Sequence, residues 1–72
     1  MKFQINGEER DFVGPLSLSG LIANLALKPD RVAVELNRQI VARELWPGTE
    51  LREGDRLEIV HFVGGGSGAL LK

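Results

Sequence analysis

Arg56-Leu57-Glu58-Ile59-Val60-His61-Phe62-Val63 runs straight into Gly64-Gly65-Gly66, and Ser67-Gly68-Ala69-Leu70-Leu71-Lys72 follows. The first part alternates charged and apolar residues, the period-two signature of a strand with one buried face. Arg56 and Glu58 belong in water, which turns Leu57 and Ile59 toward a core. The outward phase continues through Val60 and Phe62, so two apolar side chains are expected at the surface beside three glycines. Exposed apolar groups at the root of a side-chain-free arm suggest a partner site, with Val60 and Phe62 as its residues.

The rest of the chain supplies a body for that strand. Glu53-Gly54-Asp55 is a turn signal leading into it. Val32-Ala33-Val34-Glu35-Leu36 is the clearest other strand, with Val32, Val34 and Leu36 on one face and Glu35 on the other. Asn37-Arg38 marks a turn and Gln39-Ile40-Val41 a short strand. A single helical turn is expected over residues 42–46, stopped by Pro47-Gly48. Near the start, Lys2-Phe3-Gln4-Ile5 alternates, and Asn6-Gly7 predicts a tight hairpin because both residues tolerate positive φ. The return strand is expected over residues 8–13, ending at Gly14-Pro15.

Leu18, Leu21, Ile22 and Leu25 form one apolar helical face, and Ser17 before them is a candidate N-cap. Gly20 within this helix costs roughly 1 kcal/mol relative to alanine, so the helix depends on docking. Lys28-Pro29-Asp30 ends it, giving a helix over residues 17–27. A helix between strands in a chain this short predicts an α+β fold: a mixed sheet of four to five strands crossed on one face by one main helix. The body is expected over residues 1–63. A flexible tail with few contacts to it is expected over residues 64–72, whose first five are glycine or serine.

Composition excludes several functions. Seventy-two residues make one small domain, which buries only about 60% of its unfolded surface. No cysteine means no disulfide and no thiolate metal site, in keeping with a reducing compartment. Nine basic against ten acidic residues, with no basic stripe, argue against nucleic acid. No apolar run approaches the ~20 residues of a membrane span, and Met1-Lys2-Phe3-Gln4-Ile5-Asn6-Gly7 is too polar for a signal peptide. A cytoplasmic protein is expected.

No catalytic constellation is legible. His61 is the single histidine, and Ser17, Ser19 and Ser67 lie in no nucleophile motif. A metal site needs a cluster of ligands, and His61 stands alone in sequence. Gly64-Gly65-Gly66 admits three readings. A phosphate loop would open onto a helix, and none of useful length follows. A plain linker or frayed terminus fits the composition. The third reading is an arm that threads into another enzyme's narrow site, where glycine backbone passes and side chains do not. Ordering such an arm costs on the order of 1–2 kcal/mol per residue, so the body must dock as well.

Several stretches carry a family likeness: Ile5-Asn6-Gly7-Glu8, Val34-Glu35-Leu36-Asn37, Gln39-Ile40-Val41, Glu53-Gly54-Asp55 and, above all, Glu58-Ile59-Val60-His61-Phe62-Val63-Gly64-Gly65-Gly66. In these the chain resembles the ThiS sulfur carrier proteins of thiamine biosynthesis, small ubiquitin-like proteins of β-grasp fold. The likeness covers residues 1–66. It implies a protein substrate, with no enzymatic activity and no bound cofactor. An E1-like adenylyltransferase would use ATP to adenylate the terminal glycine, Gly66, with Gly64 and Gly65 threading the tail. Sulfur from a cysteine desulfurase route, carried as a persulfide, would replace AMP to give a thiocarboxylate. Thiazole synthase would then take that sulfur into the thiazole ring.

The family normally ends at the glycine matching Gly66, whereas six residues follow it here. Adenylation needs a carboxylate oxygen, so the resemblance implies a protease that trims residues 67–72, or else a chain inactive as a carrier as written. Two rivals stand beside the thiamine carrier: a related carrier serving cysteine or methionine synthesis, and a non-covalent ubiquitin-like interaction module.

Overall fold

A computed structural model of the chain describes residues 1–62. The expectations for Gly64, Gly65 and Gly66, for the tail's mobility and for residues 67–72 therefore lie outside the described residues.

Among the described residues, five strands form one mixed sheet: β1 (Lys2–Ile5), β2 (Glu8–Asp11), β3 (Val32–Leu36), β4 (Gln39–Ile40) and β5 (Arg56–His61), in the order β2-β1-β5-β3-β4. β5 is central, parallel to β1 and antiparallel to β3. The β1–β2 turn is the expected Asn6-Gly7 pair, with φ of 53° and 83° that match the right-handed twist of the flanking strands. β2 stops at Asp11, two residues short of expectation, and its four residues are all exposed. Arg10 lies over the Phe12 ring, 5.7 Å from its centroid, and that ring stacks on buried Phe3 at 5.4 Å.

One helix, α1 (Leu18–Asn24), crosses the sheet. Ser17 caps it, its hydroxyl accepting the Gly20 N–H at 3.0 Å. A Cβ at Gly20 would come within 3.1 Å of Leu16 Cδ1 and 3.3 Å of Ser17 Oγ, so glycine keeps the first turn clear for the cap. The helix is shorter than the expected 17–27. The Leu27 N–H donates to Ile22 C=O and the Ala26 N–H to Ala23 C=O, with Ala26 at φ 58°. That pair of bonds closes the helix before Pro29 can break it. Pro29 instead opens a 3₁₀ turn, Pro29–Arg31.

A second 3₁₀ segment, Arg43–Gly48, contains Pro47, which was expected to end it. The Leu45 N–H bonds Ala42 C=O and the Thr49 N–H bonds Trp46 C=O, so the missing proline N–H falls between two satisfied donors. Trp46 is 3% exposed, and its indole N–H donates to Val41 C=O at 2.9 Å. The core joins Phe3, Ile5, Val32, Val34, Leu57 and Ile59 from the sheet to Leu18, Leu21 and Ile22 from α1, with Trp46 and Leu51 beside them. Among the described residues no helix is long and apolar enough to cross a membrane.

Candidate functional site

The described part of the site is the place where β5 carries the chain out of the body. On the β3 flank, register runs through Ala33↔Val60 to Val32↔His61, and the Phe62 N–H donates to Arg31 C=O at 2.9 Å. On the β1 flank, strand pairing covers only Gln4↔Arg56 and Ile5↔Leu57. Asn6 then extends it. Its backbone N–H donates to Leu57 C=O at 2.9 Å. Its side chain bridges Ile59, Oδ1 accepting the N–H at 2.7 Å and Nδ2 donating to the C=O at 3.2 Å. The other end of β5 has a similar tie: Asn37 Oδ1 accepts the Arg56 N–H at 3.0 Å, and the Asn37 N–H donates to Arg56 C=O at 2.7 Å.

The alternation read from sequence holds for the faces of β5 and fails for the degree of exposure. Leu57 and Ile59 are buried while Arg56 and Glu58 are exposed. Val60 shares the outward face, yet it and Phe62 are half-buried where surface side chains were expected. For Val60 the reason is lateral packing, since Ala33 stands opposite it and Ile40 borders the same shallow depression of about 50 Å³. Ile40 is the most open member of this apolar face, at 76% exposure. It was missed from sequence. The two-residue turn Asn37-Arg38 contained the signal, because such a turn forces Glu35↔Ile40 pairing and sends both side chains outward. Glu58 faces Glu35 across the ladder, a like-charge pair, and Arg38 and Arg56 line the cleft beside them.

His61 lies on the other phase, beyond the cover of α1. It is exposed and borders a cavity of about 380 Å³ together with Ile5, Asn6, Arg10, Asn24 and Leu27. Ser17 spends its hydroxyl oxygen on the helix cap. Among the described residues, no three His, Cys, Asp or Glu side chains converge to hold a metal. What this end of the molecule can do chemically is to present: it holds a strand centrally and lets the chain run on from beside a small apolar face.

The ThiS family model matches residues 3–66, ending on the third glycine. A sulfur carrier protein ThiS of Bacillus subtilis is 38% identical over 88% of this chain and 97% of its own length. A thiazole synthase of Magnetococcus marinus is 41% identical over 92% of this chain, which spans about a fifth (20%) of that longer protein. The crystal structure of a thiamine biosynthesis protein (ThiS) from Geobacter metallireducens superposes with a TM-score of 0.79 at 32% identity, covering 92% of this chain and 100% of that one. With the central parallel β1–β5 pair, one crossing helix and a match that runs through Gly66, the chain belongs to the ThiS family.

Proposed function

We propose that this chain is a sulfur carrier of thiamine biosynthesis and that Gly66 is its acceptor. An E1-like enzyme adenylates the Gly66 carboxylate with ATP and releases pyrophosphate. The terminal sulfur of a persulfide displaces AMP to form an acyl disulfide. A second thiol cleaves that S–S bond to leave a disulfide and the Gly66 thiocarboxylate, and the thiocarboxylate donates its sulfur to thiazole formation. The observation that carries this reading is the family match, which runs the length of the body and stops at Gly66. The thiazole synthase relative, in which a segment like this chain makes up about a fifth of the protein, supports thiazole synthase as the sulfur's destination. The carrier supplies a carboxylate and a docking surface, and the partners make and break the bonds.

Gly66 is followed by Ser67, so a carboxylate there requires hydrolysis of the Gly66–Ser67 peptide bond. Val60 and Phe62 dock the activating enzyme, with Ile40 extending the apolar face, and Gly64 and Gly65 pass through the narrow approach to the ATP site. The decisive experiment compares a chain ending at Gly66 with one ending at Lys72. Each is mixed with activating enzyme and ATP, and pyrophosphate release and the acyl-adenylate mass are followed. Only the shorter chain is expected to react. Adenylation of the longer chain without cleavage would remove Gly66 as acceptor.

A further inference from the structure

β5 is held unequally on its two flanks. Toward β3 it is paired as far as His61, with one more bond at Phe62. Toward β1 the strand ladder stops at Leu57, because the chain turns away at Asn6 with φ 53°. The last tie on that flank among the described residues is the Asn6 side chain, bonded to both polar backbone groups of Ile59. A primary amide offers a donor and an acceptor side by side, as a peptide unit does. Asn6 thus stands in for the next peptide of a β1 strand that has already ended. Among the described residues, the chain is gripped from both sides at Ile59 and from one side at His61 and Phe62.

We propose that Asn6 is a positioning residue for the acceptor glycine: its amide bridge to Ile59 sets where, and in what direction, the chain leaves the body. The inference rests on the sulfur-carrier reading of Gly66. Gly66 lies seven positions beyond Ile59, a reach of roughly 25 Å at full extension, so a swing of about 20° at the root displaces an extended end by roughly 8 Å. A looser root lowers the fraction of carriers aimed correctly at any moment. The apparent affinity for the activating enzyme falls by that same fraction, while the reaction of a correctly bound tail is untouched.

Three variants of the chain ending at Gly66 test this. Asn6→Gly keeps the left-handed turn, which glycine adopts freely, and removes only the amide. Asn6→Asp keeps an acceptor for the Ile59 N–H but sets an oxygen against the Ile59 carbonyl. Asn37→Gly is the control, a left-handed asparagine (φ 51°) whose side chain ties the opposite end of β5. With activating enzyme and ATP, Asn6→Gly is expected to raise KM for the carrier roughly three- to tenfold with kcat within about twofold. Asn6→Asp should do at least as much. Asn37→Gly should leave both constants within about twofold even where its unfolding midpoint falls as far. An unchanged KM in Asn6→Gly, or an equal rise in Asn37→Gly, overturns the proposal. If the unsubstituted chain ending at Gly66 is not adenylated at all, the carrier reading fails, and the free protein decides the role of Asn6. Smaller amide residual dipolar couplings at Val60, His61 and Phe62 in Asn6→Gly would then support an exit-setting amide, and unchanged couplings would overturn it.

Discussion

The left-handed backbone of Ala26, φ 58°, follows from how α1 ends: the two closing bonds to Ile22 and Ala23 require that residue to reverse. An L-residue with a Cβ gives up about 1–2 kcal/mol there, and glycine avoids most of this despite its freer unfolded state. Ala26→Gly is therefore expected to stabilise the fold by about 0.5–1 kcal/mol, seen as a higher urea midpoint at unchanged slope. Phe62 tests the other end of the chain. As a half-buried ring it should cost about 1–2 kcal/mol when truncated to alanine, less than the burial of a whole side chain yields. Phe62→Ala should also weaken the encounter with the activating enzyme. A stability loss of about 3–5 kcal/mol would make Phe62 a core residue and remove it from the docking face.

At the scale of elements, α1 is only seven residues long, too short to persist without its cap and its contacts with the sheet. Ser17→Ala should cost about 1 kcal/mol, measured by chemical denaturation, by orphaning the Gly20 N–H. β4 offers the complementary test. Ile40 is exposed at the edge of the apolar face and paired to Glu35, so Ile40→Thr, which adds no like charge there, should raise the KM for adenylation while changing stability by less than about 0.5 kcal/mol. The contrast between these elements also explains what the sequence disclosed. Strands and turns were legible because period two and Asn-Gly chemistry are local, and Ser17 was legible as a cap for the same reason. The end of α1 was not, since Ala26 adopts a conformation usually left to glycine. Pro47 inside its 3₁₀ segment was equally hidden, because a turn with few bonds tolerates a missing donor where an α-helix does not. The face of Val60 was readable from alternation, but its partial cover was not, since Ala33 and Ile40 reach Val60 only through sheet order. The Asn6 bridge is likewise non-local, spanning 53 positions in sequence.

At the scale of the whole molecule, the adjacency of β1 and β5 means that the sheet closes only when the first and last strands meet. Leu57 sits at that junction, 1% exposed, its position paired to Ile5 on one side and Leu36 on the other. A body of this size has a total stability of roughly 4–11 kcal/mol, against which Leu57→Ala should cost about 3 kcal/mol. The loss should be global. Trp46 lies outside the sheet, yet its segment is tied to α1, the Leu18 N–H donating to Thr49 C=O at 2.7 Å and the Leu51 N–H to Leu16 C=O at 2.9 Å. α1 in turn shares its core with β1, β3 and β5. Among the described residues both layers share one core cluster, so neither has a separate core to survive the loss of the sheet. Trp46 fluorescence and far-UV circular dichroism should therefore fall in one coincident urea transition, in the parent chain and in Leu57→Ala alike. A Trp46 transition that trails the loss of backbone signal would show that the α1 layer holds together without β5. The central strand would then serve chiefly to carry the tail, and the body's cooperativity would have to come from elsewhere.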